Sequence, residues 1–404
     1  MKQPIIALDL GTQNTRALAV IFDKKQQVPR ILEYVSSKTS GLRKGVVVDL
    51  EEASMTVANL LSQLQRKINQ PFKKIYVNIS GEGINVKPSR GATAVARADN
   101  EITQDDVNRA VESSRTIGFP MNRTLLHTIP VEFYVDGVGP IQDPIGMNGI
   151  RLEVESLLID CFSPILKNLI KAVEGLSGYQ VEEVVYNPLL SLNSVLSKNQ
   201  KELGVLLLDI GAGTTDMVAV SEDKILLAKT FPIGGMHITN DIAAGLRTPS
   251  AEAEKIKRKY GCAMAKLVGK DEVIQVPSVG GRKPRELPRQ LLAEIIEPRV
   301  EEIFQLVNRE IHRSGMEDLI SAGVVLTGGT ALLPGIEELG EQVFEMPVRV
   351  GRPNGVGGLV DVVSSPMFAT GVGLVLWGRK NYFRRGFRIR DNNLFQKIWD
   401  RIKE

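Results

Sequence analysis

Cysteine is scarce: the 404-residue chain holds two, Cys161 and Cys262, and neither has a CxxC neighbour. That excludes a zinc cluster and a disulfide framework, and it fits a reducing cytoplasm. Long apolar runs are missing too. No stretch approaches the roughly 18 to 20 apolar residues that span a bilayer, and the charged fraction of 24% is ordinary for a globular chain. The opening MKQPIIALDLGTQN puts Asp9 and Gly11 where a signal peptide needs an unbroken apolar segment, so the protein is expected to stay where it is made. Two common nucleotide signatures are also wanting. There is no Walker A GxxxxGK(S/T), and GAGTTD at 211–216 lacks the third glycine of a dinucleotide-binding fingerprint.

What is present is enough apolar material, 43% of residues, to fill about two to four domain cores. The formal net charge of +3 is unevenly placed. Residues 379–404 hold nine Lys and Arg against Asp391, Asp400 and Glu404, a tail of +6 on a body near −3. A mildly acidic body with one basic end points to an anionic surface met at that end, not to nucleic acid bound along a face.

The strongest pattern is a self-match at an offset of 200 residues, between IIALDLGTQNT at 5–15 and VLLLDIGAGTT at 205–215. Each begins as a buried strand, reaches Asp-x-Gly and small hydroxyl residues, then enters a second strand, Ala17 to Phe22 or Met217 to Val220. Both read as β-hairpins with polar tips. Glycine lets backbone N–H groups approach phosphate oxygens, Thr and Asn add donors, and an Asp at the strand end can hold Mg2+ through water. Two such hairpins facing each other would clamp one polyphosphate. A third glycine-rich element, VVLTGGT at 324–330, has Pro334-Gly335 beyond it. The segment TPSAEAEKIKRKYG at 248–261 opens with helix-start signals and sets Glu254 and Lys257 three apart on one face, a spacing equally at home on a solvated surface.

These elements resemble the phosphate-1, phosphate-2 and adenosine motifs of the actin, sugar-kinase and DnaK-chaperone superfamily. The resemblance implies an α/β fold: a duplicated, ribonuclease-H-like, two-lobe architecture that binds ATP with Mg2+. It places Asp9, Gly11, Thr12, Asn14 and Thr15 on one side of the phosphates and Asp209, Gly211, Gly213, Thr214 and Thr215 on the other. Asp9 and Asp209 would reach the metal through water. Gly328, Gly329 and Thr330 would supply the adenosine motif, Glu254 and Lys257 would face ribose and adenine, and Gly234-Gly235 would form the tight turn before that subdomain. Asn187-Pro188 and residues 366–373 resemble the two hinge helices. Only about 30 residues follow the second hinge, too few for a chaperone's peptide-binding domain, and no second substrate motif supports a small-molecule kinase.

Residues 83–161 read as a small α/β insert with short strands, Pro/Gly turns and a capped helix running from near Thr103 to Gly118, set between lobe strands Lys74 to Ile79 and Ser156 to Cys161. His127 stands alone among apolar residues and reads as a packed or hydrogen-bonded histidine. The wording of LHTIP at 126–130, FYVDG at 133–137 and DPIGMNGIRLEV at 143–154 resembles the FtsA family of bacterial cell-division proteins, over nearly the whole chain. That family carries a relocated subdomain, 1C. The implied division is 1–82, 162–195 and 360–378 for subdomain 1A, 83–161 for 1C, 196–235 and 303–359 for 2A, and 236–302 for 2B.

Residues 379–393 read as a basic linker. From 394 to 404, Leu394, Phe395, Ile398, Trp399 and Ile402 fall on one side of a helix, with Lys397 and Arg401 among the polar residues opposite. Trp and Phe over cations is the composition of a helix lying in a lipid interface. The resemblance implies a peripheral protein at the cytoplasmic face of the membrane that polymerises and tethers the tubulin-like FtsZ by its C-terminal peptide. Arg285 and Arg299 in 2B are candidates for that peptide, and 1C for later division proteins. ATP turnover is expected to be weak. The alternatives are a PilM-type pilus scaffold and an ATP-dependent small-molecule kinase.

Overall fold

The structure, a computed structural model, describes residues 4–22, 28–116, 118, 120–278 and 283–384. The anchor residues Leu394, Phe395, Lys397, Ile398, Trp399, Arg401 and Ile402 therefore lie outside the described residues, as does the linker beyond Arg384.

The chain begins with β1 (Ile5–Leu10), β2 (Asn14–Ile21), β3 (Arg30–Lys38), the short pair β4 (Leu42–Arg43) and β5 (Val46–Val47), α1 (Leu50–Ile68) and β6 (Lys74–Ile79). It continues through β7 (Ile84–Ala94), α2 (Gln104–Ser114), β8 (Arg123–Val135), β9 (Val138–Ile141), β10 (Arg151–Phe162) and α3 (Ser163–Glu174). Then come β11 (Gln180–Tyr186), α4 (Asn187–Val195), α5 (Lys198–Leu203), β12 (Val205–Ile210), β13 (Thr215–Ser221), β14 (Lys224–Phe231), α6 (Gly235–Gly245) and α7 (Ser250–Tyr260). The last elements are β15 (Val273–Val276), β16 (Arg285–Pro288), α8 (Arg289–Ser314), β17 (Val324–Thr327), α9 (Ile336–Phe344), β18 (Val348–Val350), α10 (Val360–Val363) and α11 (Ala369–Arg384).

Two compact units emerge: one from Met1–Glu82 with Ala172–Gly378, the other built on Gly83–Lys171. The first holds two five-stranded sheets of one topology, β11-β6-β1-β2-β3 and β18-β17-β12-β13-β14. In each, three consecutive strands pair antiparallel and two more join parallel on the far side of the first. The 200-residue repeat is thus a repeat of sheet topology. Its inner strands are largely buried, as doubly covered strands are, with β12 buried at all six positions, whereas the edge strands β3 and β14 are mostly half-exposed. In the second lobe that apolar surface meets Ile238 and Ile242 of α6 and Ile303, Phe304 and Val307 of α8.

The second unit is a four-stranded sheet, β7-β10-β8-β9, with α2 packed on it around Ile102, Ala110, Phe133, Leu152 and Val154. Its strands are long, 11, 13 and 12 residues for β7, β8 and β10. The short strands expected of the insert are therefore corrected. Pro88 lies on an edge strand, where no ladder donor is needed, and Pro130 lies at the register shift between Glu155 and Ser156. Residues Ser156 to Cys161, expected to be a lobe strand, pair on both sides with β7 and β8 within the insert. The capped helix is present, Thr103 and Asp106 forming the reciprocal box, but it stops at Ser114 and not at Gly118. Ser114 Oγ and Thr116 Oγ1 donate to the carbonyls of Val111 and Ser113, taking the acceptors a further turn would need. At the other end, 379–384 continue α11 instead of opening a linker, and α8 starts at Arg289, directly after β16.

Gly91 on β7 marks where α2 comes closest, since a Cβ there would run into the Ala110 carbonyl and the Ser114 amide. Gly91→Ala is expected to destabilise the insert by about 2 kcal/mol or more. Hydrogen exchange should accelerate in 84–162 and stay unchanged in the two five-stranded sheets. Uniform acceleration, or none, would contradict this packing.

Candidate functional site

The two hairpins share a register. Asp9 pairs with Arg16 and Leu10 with Thr15; Asp209 pairs with Asp216 and Ile210 with Thr215. Between the strands, Gly11 has no room for a side chain, because a Cβ would stand 2.7 Å from Asn14 O. Gly211 N closes the second turn on Thr214 O at 2.9 Å. Strand alternation then decides which residues face inward. Asn14 and Arg16 line the cavity on the first hairpin, Thr214 and Asp216 on the second. Thr15 and Thr215 do not: both are wholly buried, their hydroxyls bonded to Thr39 Oγ1 and Ile233 O. Their expected side-chain role at the phosphates is corrected by that alternation.

The tips of the hairpins meet. A Cβ on Gly213 would lie 2.9 Å from Thr12 Cβ. Ser80, just past β6, donates to Asp216 at 2.7 Å and lies 3.4 Å from Thr214 Oγ1. The third glycine element closes the far side: a Cβ on Gly328 would meet Asp209 Oδ1 at 2.5 Å, and Thr330 Oγ1 donates to Gly211 O at 3.2 Å. Gly234 stands behind the second loop, where a Cβ would be 2.6 Å from Gly211 O, so it supports the wall without lining it. Together these elements enclose a cavity of about 560 Å3.

The opposite wall is α7. Lys257 Nζ bonds Glu254 at 2.7 Å, Gly235 O at 2.8 Å and Thr239 Oγ1 at 2.7 Å, tying α7 to the start of α6. Burial lowers the Lys257 pKa, opposed by Glu254; burial pushes Glu254 up, but Lys257 and its hydrogen bonds, one from Gln13 of the first hairpin, bring it below its ordinary value. Glu254, Lys257, Gly235, Gly328, Gly329 and Thr330 all line the cavity with Arg258, Leu333 and Pro334, which gives a polar wall beside an apolar slot.

The floor holds three carboxylates. Asp9 and Asp209 are nearly inaccessible. Burial pushes Asp9 up to about 6, with Arg16 at 3.4 Å opposing and Asp209 adding to the rise. Asp209 is also raised by burial, against donors Ser191 at 2.5 Å and Thr370 at 3.2 Å. Asp216 is pushed up to about 7, first by burial, with Thr230, Ser80 and Asn187 opposing and the Asp209 charge adding. Arg16, Asp216, Ser80, Asn78 and Asn187 were not among the expected ligands. Period-two alternation from Asn14 and Thr214 pointed to Arg16 and Asp216; Ser80 and Asn78 belong to no motif and arrive only because β6 runs beside β1.

Arg285 and Arg299 are away from this cavity. Arg285 donates to Leu246 O, and Arg299 forks onto Asp241 of α6 at 2.5 and 3.0 Å while also bonding Glu302. His127 lies on β8 opposite Ile159, and burial holds its imidazole down to about 4, in keeping with a packed histidine.

Known proteins resemble this chain at three levels. The family described as Cell division protein FtsA matches residues 206–373, and the SHS2 domain inserted in FtsA matches 81–159. The Cell division protein FtsA of Pseudomonas aeruginosa is 42% identical over 376 residues, 93% of this chain and 89% of that protein. The one from Bacillus subtilis is 35% identical over 384 residues, 95% and 85% of the two chains. Among solved structures, a PilM-PilN type IV pilus biogenesis complex aligns with TM-score 0.66 and 17% identity over 93% of this chain and 98% of its own. MreB 5 of Spiroplasma citri bound to AMPPNP aligns with TM-score 0.54 and 15% identity over 96% and 100%. At those identities the likeness speaks for the fold, which is the expected actin-like one.

The raised carboxyl at 216 has a measurable sign. It binds its proton more tightly folded, near 7, than unfolded, near about 4. The stability it contributes is complete below the unfolded value and lost as pH rises through the folded one. The melting temperature of Asp216→Asn should therefore fall less than that of the parent between about pH 5 and pH 8. Parallel pH profiles would sink this assignment.

Proposed function

The chain belongs to the FtsA family of cell-division proteins, and from that premise we propose that it binds Mg-ATP in this cavity, polymerises, and tethers FtsZ to the inner face of the cytoplasmic membrane. The observation that carries the nucleotide reading is the meeting of two glycine-tipped hairpins at Thr12 and Gly213. Phosphates would lie against Gly11, Thr12 and Asn14 from one lobe and Gly211, Gly213 and Thr214 from the other. Glu254 and Lys257 would take the ribose and base side with Gly235, Gly328, Gly329 and Thr330. Asp9 and Asp209 would hold Mg2+ through water, and the bound metal would offset the burial that raises both carboxyls and the Asp209 charge that adds to the rise at Asp9.

Hydrolysis in this scheme is slow. A carboxylate that activates water needs a free acceptor. Asp216 receives Ser80 and Thr230 on Oδ1 and Asn187 on Oδ2, and it is half-protonated near neutrality. Steady-state ATP turnover should stay below about 1 per second; a faster rate measured with purified protein would refute this account.

Subdomain 2B, at 236–302, is the proposed seat of the FtsZ C-terminal peptide. Its Arg299 is shared between Asp241 and Glu302, so an acidic peptide would have to compete for the guanidinium. The insert, 1C, would meet later division proteins. The membrane reading rests on the basic, amphipathic sequence at 379–404; among the described residues no helix is long and apolar enough to cross a membrane. A single short helix binds lipid reversibly, so assembly would strengthen attachment by avidity.

Cosedimentation with anionic liposomes and Mg-ATP tests the whole scheme. The full chain should pellet with lipid and carry FtsZ with it, and a version ending at Gly378 should stay in the supernatant. If the two behave alike, the tail is not the anchor and the adaptor role falls.

A further inference from the structure

One element touches the cavity without belonging to any phosphate motif, the small hairpin β4–β5. Its tip is Lys44-Gly45, both residues in the left-handed region with φ +50° and +76°. Gly45 lines the cavity. Its amide donates to Thr12 Oγ1 at 3.1 Å, and a Cβ on it would stand 2.9 Å from Ser80 O. Thr12 and Ser80 are themselves the first-lobe residues that reach the second phosphate loop, at Gly213 and at Thr214 with Asp216. The hairpin tip therefore rests on the junction where the two loops meet. Its base is fixed as well: Val48 N and Asp49 N donate to Gly41 O at 2.8 and 3.1 Å, and Asp49 caps α1 through Glu52 N at 3.0 Å.

This rigid tip presents Lys44, an exposed cation with no carboxylate partner among the described residues. Its charge reaches His237 in the first turn of α6: burial lowers that imidazole first, and the Lys44 ammonium lowers it further. Lys44 is therefore the residue beside the cavity-lining Gly45, on a tip that rests on the loop junction, with a charge felt at His237 of the second lobe. The cations that line the cavity sit elsewhere, Arg16 at the floor beside Asp9 and Lys257 with Arg258 on the base wall. A nucleotide with its base against α7 would direct its phosphates to the loops, the outermost one toward their junction.

We propose that Lys44 contacts the terminal phosphate of ATP, making the β4–β5 hairpin the element that distinguishes ATP from ADP. This deepens the nucleotide reading above and rests on it. A lysine suits the task because an ammonium on a flexible stem meets a phosphate as a point charge from any direction. A left-handed lysine beside a left-handed glycine turns the chain sharply enough to set that stem at the tip.

The test is equilibrium binding of fluorescently labelled ATP and ADP, each with Mg2+, to the full-length chain and three variants. Lys44→Ala keeps the Cβ and so the same backbone demand. It should weaken ATP about tenfold or more and leave ADP within about twofold, because only the triphosphate loses a charge-assisted contact. Lys44→Arg should recover most of the ATP affinity. Arg43→Ala, one residue away on β4 and exposed, should change neither. Equal losses for ATP and ADP, or no loss for either, would overturn the assignment to the terminal phosphate. A parent chain that binds neither nucleotide would instead remove the nucleotide reading, and this proposal with it.

Discussion

A line of buried polar groups joins the first phosphate hairpin to the second, and the geometry of the cavity depends on it. Leu10 N donates to Asn78 Oδ1 at 2.6 Å, Asn78 Nδ2 to Asn187 Oδ1 at 2.9 Å, and Asn187 Nδ2 to Asp216 Oδ2 at 3.0 Å. The direction is forced from its first link. A backbone N–H can only donate, so Asn78 must offer its oxygen there and its amide to Asn187, which must do the same toward Asp216. Reversing either amide would set donor against donor in a space with little water, at a cost of about 1 to 3 kcal/mol per unsatisfied group. The hydroxyls of Ser80 and Thr230 on Oδ1 can rotate, so a proton on Asp216 is accommodated on that side while the amide line keeps its sense. This relay ties the two lobes together at the cavity floor.

The duplication is close in backbone and broken in charge. Positions 9 and 209 are both Asp, but their cross-strand partners are Arg16 and Asp216. One hairpin brings a cation to the floor and the other a carboxylate. Arg16 also lies over the Phe368 ring, 5.5 Å from its centroid, which holds the guanidinium near Asp9 without a tight ion pair. A symmetric pair of hairpins would have repelled or neutralised itself. The asymmetric pair sets unlike charges on the two sides of a small polar space.

Much of this was legible in the sequence because short motifs encode short-range geometry. The Asp-x-Gly turns, the Glu254-Lys257 pair and the Thr103 cap each depend on residues within a few positions. Thr15 and Thr215 belonged to the right motif on the wrong face, since a single step along a strand reverses the side chain. Ser80 and Asn78 were silent, because what brings them to the site is the parallel pairing of β6 with β1, a contact across roughly 70 residues that no local pattern records. The guanidinium of Arg299 looked available in sequence, and Asp241, 58 residues away, occupies it.

The insert enters at Gly83 and leaves after β10, and its first and last strands are neighbours in register, Ile84 opposite Cys161. Its two chain ends are therefore separated by little more than one strand spacing, about 5 Å. A module with adjacent ends can be lost, exchanged or enlarged without asking the host sheet to re-route, since any other fold with a similarly narrow stalk would close the same gap.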